Sequence, residues 1–368
     1  MKKYNLLIVG NGFDLNFGYK TKYSDFCKHV INNHRLTQNK LLFFLYRAYD
    51  FDVMINEHWT SFEKVLCQYL EFLNYLFTSP NVSYHCDSYD YGLKKCFLVS
   101  LSITDINKLP LNCKRVMDIG NPLDGIMDFY WFDTNGKRHY MDCRLSYLPK
   151  HQNNFDIKIS NCFTTFPSKS DIRDFIIGEF NKTLEDAEDT LATYIRQETS
   201  KTEAPSAFVS ENIGTEVDYL VSFNYSKTAE SIFNITPNNV TYVHGCVDGE
   251  IVLGVENDML EEQEVQEDSP YFIFFKKARR FVKRCNEGFS EKILNKINPA
   301  TKIAVFGHSL DKSDKSIFQL LLNSNFNHCD IYYFGEEKEY RSRLISLVGI
   351  DTVDKLNNNN KISFIKIV

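Results

Sequence analysis

The chain has 368 residues, of which 43% are hydrophobic and 24% charged, as in a folded protein of one large or two medium domains. Its formal net charge is −6 and it has no long basic tract, which argues against binding to duplex DNA. Its ten cysteines include no C-x-x-C pair and no apolar run reaches membrane length, so we expect a cytoplasmic protein with reduced thiols, no zinc and no membrane contact.

The first predicted element is a buried strand over Asn5–Val9, which ends at the glycine pair Gly10 and Gly12. A helical pattern follows from Tyr23. Strand, glycine turn and helix in this order suit a turn whose backbone N–H groups bind a pyrophosphate. The full G-x-G-x-x-G spacing is absent because position 15 is Leu15, so a tight structural turn is the alternative interpretation.

The middle of the chain divides into a helical stretch and a β-rich stretch. Apolar residues at helical spacing predict two helices within residues 39–77, the second of which begins near Thr60. Short alternating runs over residues 81–167 predict an insertion that contains β-strands, and the Asn135-Gly136 dipeptide predicts a hairpin within it. A polar helix is expected from about residue 170 to residue 197.

The C-terminal part returns to short apolar strands that end in small or polar residues. The predicted strands lie at residues 219–224, 240–245, 303–307 and 330–335, with helical patterns between them at 228–233, 271–284 and 313–322. This alternation predicts an α/β fold with a doubly wound, Rossmann-like parallel sheet and helical and β-containing insertions. We therefore expect one discontinuous domain, residues 1–80 and 168–368, with the helical insertion at 39–77 and the β-containing insertion at 81–167.

Ligands of open α/β sheets bind beyond the carboxyl ends of the strands, so the residues that end these strands form the candidate site. Asn224 and His244 each end one predicted strand, and Gly307-His308-Ser309 ends another. His244 is a candidate general base because an imidazole at a strand end can titrate near neutrality, with a structural histidine as the alternative. Asn224 can position a ribose hydroxyl or a water, or cap a turn, and His308 is expected in a loop that contacts the ligand.

Seven segments in the right order together resemble the phage abortive infection family AbiH. The resemblance spans nearly the whole chain, and its most specific part is the N-terminal Gly-Asn-Gly-Phe-Asp-Leu element with a downstream Thr-x-Tyr-x-Asp-Phe. Residues 81–167 carry no motif of the family. The segments are Gly10–Leu15; Thr21, Tyr23 and Asp25-Phe26; Trp59, Phe62 and Glu63; Ser222–Ser226; His244-Gly245; Leu253-Gly254; and Phe306–Asp311 with Asp314.

The layout is also distantly similar to the sirtuin-like NAD-binding domains of bacterial antiphage defence. That resemblance implies a glycine turn for the dinucleotide at Gly10 and Gly12, with Asn224 and His244 at the nicotinamide ribose and the Gly307–Ser309 loop on the cofactor. Two features depart from sirtuins: Asn11–Asp14 replaces their Ala-Gly-x-Ser pattern, and the zinc-binding cysteine pairs of the deacylases are missing. Protein deacylation is therefore not expected.

The two resemblances imply an antiphage effector that hydrolyses NAD at the bond between nicotinamide and ribose. The implied catalytic residues are His244, as base, and Asn224, as positioning group. No metal ligand is assigned. The residues expected to bind the dinucleotide are Gly10, Asn11, Gly12, Phe13, Asp14, Thr21, Tyr225, Gly307, His308 and Ser309.

Two other functions remain open from the sequence. One is a sensor or scaffold that binds NAD or ADP-ribose without turnover, since the glycine turn departs from the sirtuin pattern. The other is a nuclease or nucleotide hydrolase, whose acidic metal ligands are met only loosely by Asp311 and Asp314, which can equally cap a helix. A phage-derived or protein trigger and a homo-oligomer are compatible with each function.

Overall fold

The computed structural model describes residues 4–33, 41–42, 59–91, 94–103, 109–111, 113, 130–132, 138–140, 145–146, 155–161, 168–200, 207–255, 269–285 and 287–367. The chain forms two compact units. The parallel-sheet unit comprises Met1–Phe26, Glu188–Leu253 and Lys276–Val368, and the antiparallel-sheet unit comprises Cys27–Ala187 and Gly254–Phe275. The predicted domain boundaries near residues 80 and 168 stay a prediction.

The strands fall into one parallel sheet, one antiparallel sheet and one separate hairpin. Their bounds are β1 Leu6–Val9, β2 Val82–Tyr91, β3 Lys94–Ile103, β4 Tyr130–Phe132, β5 Arg138–Tyr140, β6 Leu145–Ser146, β7 Phe155–Asn161, β8 Tyr219–Ser222, β9 Val240–Tyr242, β10 Lys302–Phe306, β11 His328–Tyr333 and β12 Ile362–Lys366.

The helices range from one turn to more than eight turns in length, and in the described part of the chain none is long and apolar enough to cross a membrane. Their bounds are α1 Asn11–Asn16, α2 Tyr23–Asn32, α3 Trp59–Thr78, α4 Lys169–Thr199, α5 Ala207–Asn212, α6 Thr228–Phe233, α7 Lys276–Val282, α8 Phe289–Lys292, α9 Lys315–Leu322, α10 Glu337–Val348 and α11 Ile350–Asn358. Short 3₁₀ turns occupy Pro237–Asn239, Pro270–Phe274, Leu294–Lys296 and Lys312–Asp314.

The parallel-sheet unit contains a six-stranded sheet in the order β12-β11-β10-β1-β8-β9, in which every neighbouring pair is parallel. Numbered along the chain within this sheet and read from β9, the order is 3-2-1-4-5-6, which is that of the Rossmann fold. The predicted α/β fold with a parallel sheet is thereby confirmed. The order reverses between β1 and β10, so the turn after β1 lies at the point where such sheets bind ligands.

Alternation along the strands explains why helices cover both faces of this sheet. Successive side chains of a strand point to opposite faces, so a strand that is apolar throughout needs a partner on each side. Leu6 and Ile8 pack into one core with α9 and α10. Leu7 and Val9 pack into the other core with α1 and α6.

The antiparallel-sheet unit has a four-stranded sheet in the order β2-β3-β7-β6. Strands β4 and β5 pair separately as an antiparallel hairpin. Within this unit the ring of Phe180 on α4 lies 5.2 Å from that of Tyr69 on α3 and 4.7 Å from that of Phe274, measured between centroids. These three aromatic rings therefore pack against each other within the antiparallel-sheet unit.

Most of the predicted elements are confirmed within a few residues of their expected bounds. The helix expected near Thr60 is α3, the polar helix is α4, and the pattern at 228–233 is α6. Pairing of β4 with β5 confirms the predicted hairpin, whose Asn135-Gly136 turn lies outside the described residues. The first helix expected within 39–77 also lies outside them, apart from residues 41–42. Strand β12 and helices α1, α5, α8, α10 and α11 were not predicted.

Candidate functional site

Four of the predicted site residues form a row at the carboxyl edge of the parallel sheet. The last paired residues of β9, β8, β1 and β10 are in register across the four strands. Two residues beyond those pairs stand His244, Asn224, Asn11 and His308, one after each strand in that order. The sheet therefore brings together side chains that are far apart in sequence.

The glycines of the β1–α1 turn are required by packing against the loop after β10. The Gly12 N–H donates to the Gly307 carbonyl at 2.8 Å, and a Cβ at Gly12 would lie 2.7 Å from the Gly307 Cα. A Cβ at Gly10 would lie 2.6 Å from the Cα of His308. Gly307 itself has a φ of +66°, and a Cβ there would lie 2.3 Å from the Phe13 nitrogen. Contact between the two loops thus accounts for all three glycines without a ligand.

Three other residues expected to bind the dinucleotide, Asn11, Phe13 and Thr21, have contacts within the protein. The Thr21 hydroxyl donates to Asn11 Oδ1 at 2.7 Å, and the Asn11 amide donates to the Thr21 carbonyl at 3.1 Å. The Phe13 side chain is fully buried among aromatic rings, with Phe17 and Phe306 at centroid distances of 5.1 and 5.7 Å. Asn11 and Thr21 therefore stabilise the loop that follows α1, and Phe13 belongs to the core.

Asp14 is a buried carboxylate on α1 that faces the β8–α6 loop. The Ser226 hydroxyl lies 2.8 and 2.6 Å from its two oxygens, and the Thr228 hydroxyl donates to that of Ser226 at 3.1 Å. Burial raises the pKa of Asp14 to about 6, against the opposing effect of hydrogen bonds from Ser226, Thr228 and Asn224. This carboxyl group therefore changes charge near neutral pH.

Asn224 is 6% exposed, and its Oδ1 has no hydrogen-bond partner among the described residues. The Asn224 side chain is one of the polar neighbours that oppose the rise in the pKa of Asp14. The Ser222 hydroxyl holds the backbone of Asn224 through 3.2 Å contacts to its N–H and its carbonyl. Asn224 Oδ1 can therefore accept a hydrogen bond from a ligand or a water.

His244 is 5% exposed and follows β9. Its Nε2 lies 2.9 Å from Asp314 Oδ1, whereas its Nδ1 has no hydrogen-bond partner within the described part of the chain. Burial and the charge of Lys276 lower the pKa of His244 to about 3, which Asp314 partly opposes and Arg280 reinforces. The imidazole is therefore neutral at physiological pH and does not titrate near neutrality as its place at a strand end had suggested, and its bare Nδ1 can accept a hydrogen bond.

Aromatic rings on both sides of Asn224 hold the two histidines. The Phe223 ring lies 5.9 Å from that of His244 and 4.4 Å from that of His308, measured between centroids. The Tyr225 ring lies 6.4 Å from that of His244, and its hydroxyl donates to the Val252 carbonyl at 3.2 Å. Asn224 therefore lies between two residues that contact the His244 ring.

His308 is held by the protein at both ring nitrogens. Its Nδ1 accepts from the Leu310 N–H at 2.9 Å, and its Nε2 lies 3.2 Å from Asp314 Oδ2. Neither nitrogen is left for a ligand in this conformation. Ser309 is exposed, and its carbonyl accepts from Arg343 at 3.1 Å.

Asp314 is the residue of this site whose role the sequence did not reveal. It lies at the end of a 3₁₀ turn before α9 and contacts both histidines. Burial favours its neutral form, but contact with His244, the charge of Lys276 and the His308 hydrogen bond hold the pKa of Asp314 well below its usual range. The only sequence signal for Asp314 is its place at the end of a Ser-Leu-Asp-x-x-Asp pattern, four residues beyond Leu310.

A second buried carboxylate, Glu188 on α4, fastens the segment after β9 to α7. Glu188 accepts from the Leu253 N–H, from Arg279 and from Lys283, each at 2.7 Å. Gly245 has a φ of +76°, and a Cβ there would lie 1.8 Å from the Glu250 carbonyl oxygen. His244 is thus followed by a tight turn whose far end is fixed by ion pairs.

These side chains make a small acid–base site within the parallel-sheet unit. His244 Nδ1 and Asn224 Oδ1 are both bare acceptors, and each can accept a hydrogen bond from a hydroxyl group or a water. No group of three or more His, Cys, Asp or Glu side chains that could hold a metal ion occurs among the described residues. That no zinc is needed stays a prediction.

Comparison with known proteins gives a family match that covers most of the chain. A model of the family described as bacteriophage abortive infection AbiH matches residues 6–334, a range that includes β1 to β11 and every candidate site residue. No curated protein and no solved structure matches the chain. The resemblance to sirtuin-like domains stays a prediction. With most of its length matched by one family model, the chain belongs to the bacteriophage abortive infection family AbiH.

Proposed function

We propose that this AbiH protein acts in phage abortive infection by hydrolysing NAD at the bond between nicotinamide and ribose. Its family supports the role in abortive infection. Loss of NAD would arrest or kill an infected cell before phage are released, which is what an abortive defence requires. In this proposal NAD is the substrate, the cytoplasm is the site of action, and a phage-derived or protein trigger releases the activity.

The observation that carries the proposal is a pair of buried acceptor atoms at the carboxyl ends of β8 and β9. Asn224 Oδ1 and His244 Nδ1 have no hydrogen-bond partner among the described residues. A buried polar atom left unsatisfied costs roughly 1 to 3 kcal/mol, so such atoms are usually completed by a water or a ligand. Both atoms need a donor, which ribose hydroxyls and a water supply.

Hydrolysis of NAD requires little covalent chemistry from the protein. Water adds to the ribose carbon, the carbon–nitrogen bond breaks with its electron pair passing to nicotinamide, and one proton is released from the water. Neutral His244 accepts that proton, and Asn224 orients the hydroxyl or the water. The positively charged nicotinamide becomes neutral as it leaves, which lowers the need for a separate acid.

The two alternatives make different demands on the same residues. A sensor would bind NAD through these acceptor atoms and leave it intact. A metal-dependent nuclease would use Asp314 as a metal ligand, but both of its oxygens already lie within 3.2 Å of histidine nitrogens. NAD hydrolysis and NAD binding are therefore favoured over nuclease activity.

Incubation of the purified full chain with NAD, and separately with RNA, with and without magnesium, distinguishes the three functions. We expect nicotinamide and ADP-ribose from NAD without magnesium, and intact RNA. NAD binding by calorimetry without products would replace the hydrolase by a sensor, and magnesium-dependent cleavage of RNA would replace it by a nuclease. If a trigger is needed, cellular NAD should fall during phage infection and not when the protein is expressed alone.

A further inference from the structure

Asp314 joins the two histidines of the site through separate oxygens. Oδ1 lies 2.9 Å from His244 Nε2, and Oδ2 lies 3.2 Å from His308 Nε2. All three side chains are buried, with exposed fractions of 10%, 7% and 3% for Asp314, His244 and His308. Because an ionised carboxylate only accepts hydrogen bonds, each imidazole must donate from Nε2.

The geometry around His308 supports this assignment of protons independently. Its Nδ1 accepts from the Leu310 N–H at 2.9 Å, so its proton lies on Nε2, facing Asp314. His308 thus occupies one carboxylate oxygen and leaves the other for His244. The Phe223 and Phe318 rings, at centroid distances of 4.4 and 4.7 Å from the His308 ring, hold it in this orientation.

The ordinary structural role for an aspartate at this position is to cap the helix that follows. Asp314 is the residue at the N-terminal boundary of α9, but its side chain makes no capping hydrogen bond. Its carboxylate instead faces the two histidines. A cap would be exposed and interchangeable with serine or asparagine, whereas this carboxylate is buried and engaged at both oxygens.

We propose that Asp314 is a positioning residue for His244, which it fixes in the tautomer that bears its proton on Nε2 and leaves Nδ1 bare. This role rests on the proposed function, in which Nδ1 accepts the proton of the reaction. His308 acts on His244 only indirectly, because it occupies the second oxygen of the Asp314 carboxylate. The tautomer of a catalytic histidine is commonly set by the hydrogen bond at its other nitrogen.

The Asp314→Asn variant separates this role from simple packing, because asparagine has almost the same shape but one acceptor and one donor. The amide oxygen of asparagine can accept a hydrogen bond from only one of the two imidazoles. His308 is committed to its tautomer by the Leu310 N–H, so the amide donor should face His244. The His244 proton then moves to Nδ1, and the bare nitrogen of the site is lost.

Nitrogen NMR of the full chain labelled with ¹⁵N-histidine measures the tautomers directly, with His244→Gln and His308→Gln variants to assign the signals. In the unmodified protein at pH 7 we expect both rings to carry their proton on Nε2. In Asp314→Asn we expect the His244 proton on Nδ1, with a loss in kcat of roughly 10²-fold or more and unchanged NAD affinity.

Glu188→Gln is the matched control, because it also replaces a buried carboxylate of the parallel-sheet unit by an amide. It should lower the melting temperature and leave the His244 tautomer unchanged. A wild-type His244 with its proton on Nδ1, or an unaltered tautomer and full turnover in Asp314→Asn, would overturn the proposal. If the wild-type protein does not hydrolyse NAD, the proposed function fails, while the NMR result still decides the tautomer.

Discussion

The candidate site contains two buried carboxyl groups, and their surroundings shift their pKa values in opposite directions. Burial of Asp14 outweighs the opposing effect of its polar neighbours, of which the Ser226 hydroxyl is the first, so its pKa rises to about 6. Asp314 contacts two imidazoles and the charge of Lys276, which hold its pKa well below the usual range. The difference follows from donor type, because charged and imidazole donors stabilise a carboxylate more than hydroxyl groups do.

Asp14 should make the stability of the protein fall as pH rises from about 4 to about 6. Over this window the native carboxyl keeps its proton, with a pKa of about 6, while the unfolded chain has lost it. The contribution, fully present below pH 4, is about 3 kcal/mol and is lost above pH 6. Urea unfolding at a series of pH values should therefore show that Asp14→Asn gains stability relative to wild type across the window.

The exposed Asp351→Asn variant controls for the loss of one carboxylate in that series. A constant difference in unfolding free energy between Asp14→Asn and wild type from pH 4 to pH 7 would show that Asp14 titrates normally.

His244 and Asn224 should behave as one unit in turnover. If His244 is the base and Asn224 positions its target, each alanine variant should lose roughly 10²-fold or more in kcat without a matching loss of NAD affinity. The double variant should lose little beyond the worse single one, because groups that act together are not additive. Turnover, NAD affinity and melting temperature measured on the three variants test this expectation. Full turnover by a folded His244→Ala protein would remove His244 from the reaction.

At the scale of elements, the β1–α1 turn and the loop after β10 form one packed unit. The hydrogen bond from Gly12 to Gly307 and the close approach of their backbones leave no room for a Cβ at either position. A side chain at Gly12 would therefore collide with the protein itself and not only with a bound pyrophosphate. A Gly12→Val variant would disturb folding as well, so it does not isolate ligand binding.

Gly307→Ala should destabilise the protein far more than Gly335→Ala. Both glycines have a positive φ, of +66° and +84°, but a Cβ would meet Phe13 at 2.3 Å in the first case and nothing within 4 Å in the second. The left-handed backbone costs alanine roughly 1 to 2 kcal/mol at either site. Overpacking adds roughly 1 to 3 kcal/mol at Gly307 alone. Equal losses of unfolding free energy in urea would contradict the contact between the two loops.

At the scale of the whole molecule, local patterns were sufficient for much of the architecture. Leu6–Val9 is apolar at every position and is followed by glycine, which suits a strand buried on both faces, as β1 proves to be. The pattern at 228–233 matches the bounds of α6. Strand β12 was not predicted because it lacks the continuous apolar run of the inner strands: it lies at the edge of the sheet, and only its first residue is buried.

The sequence by itself determined the α/β class, the AbiH resemblance and the gathering of Asn224, His244 and His308 at strand ends, because these depend on hydrophobic period and on motifs within short segments. Only the tertiary structure decided what each side chain does there. It shows that both oxygens of Asp314 hold histidines and that Gly10 and Gly12 pack against the loop at Gly307. These contacts join residues far apart in the chain; Gly10 and Gly307, for example, are 297 positions apart. They depend on strand register and loop geometry that no local pattern encodes.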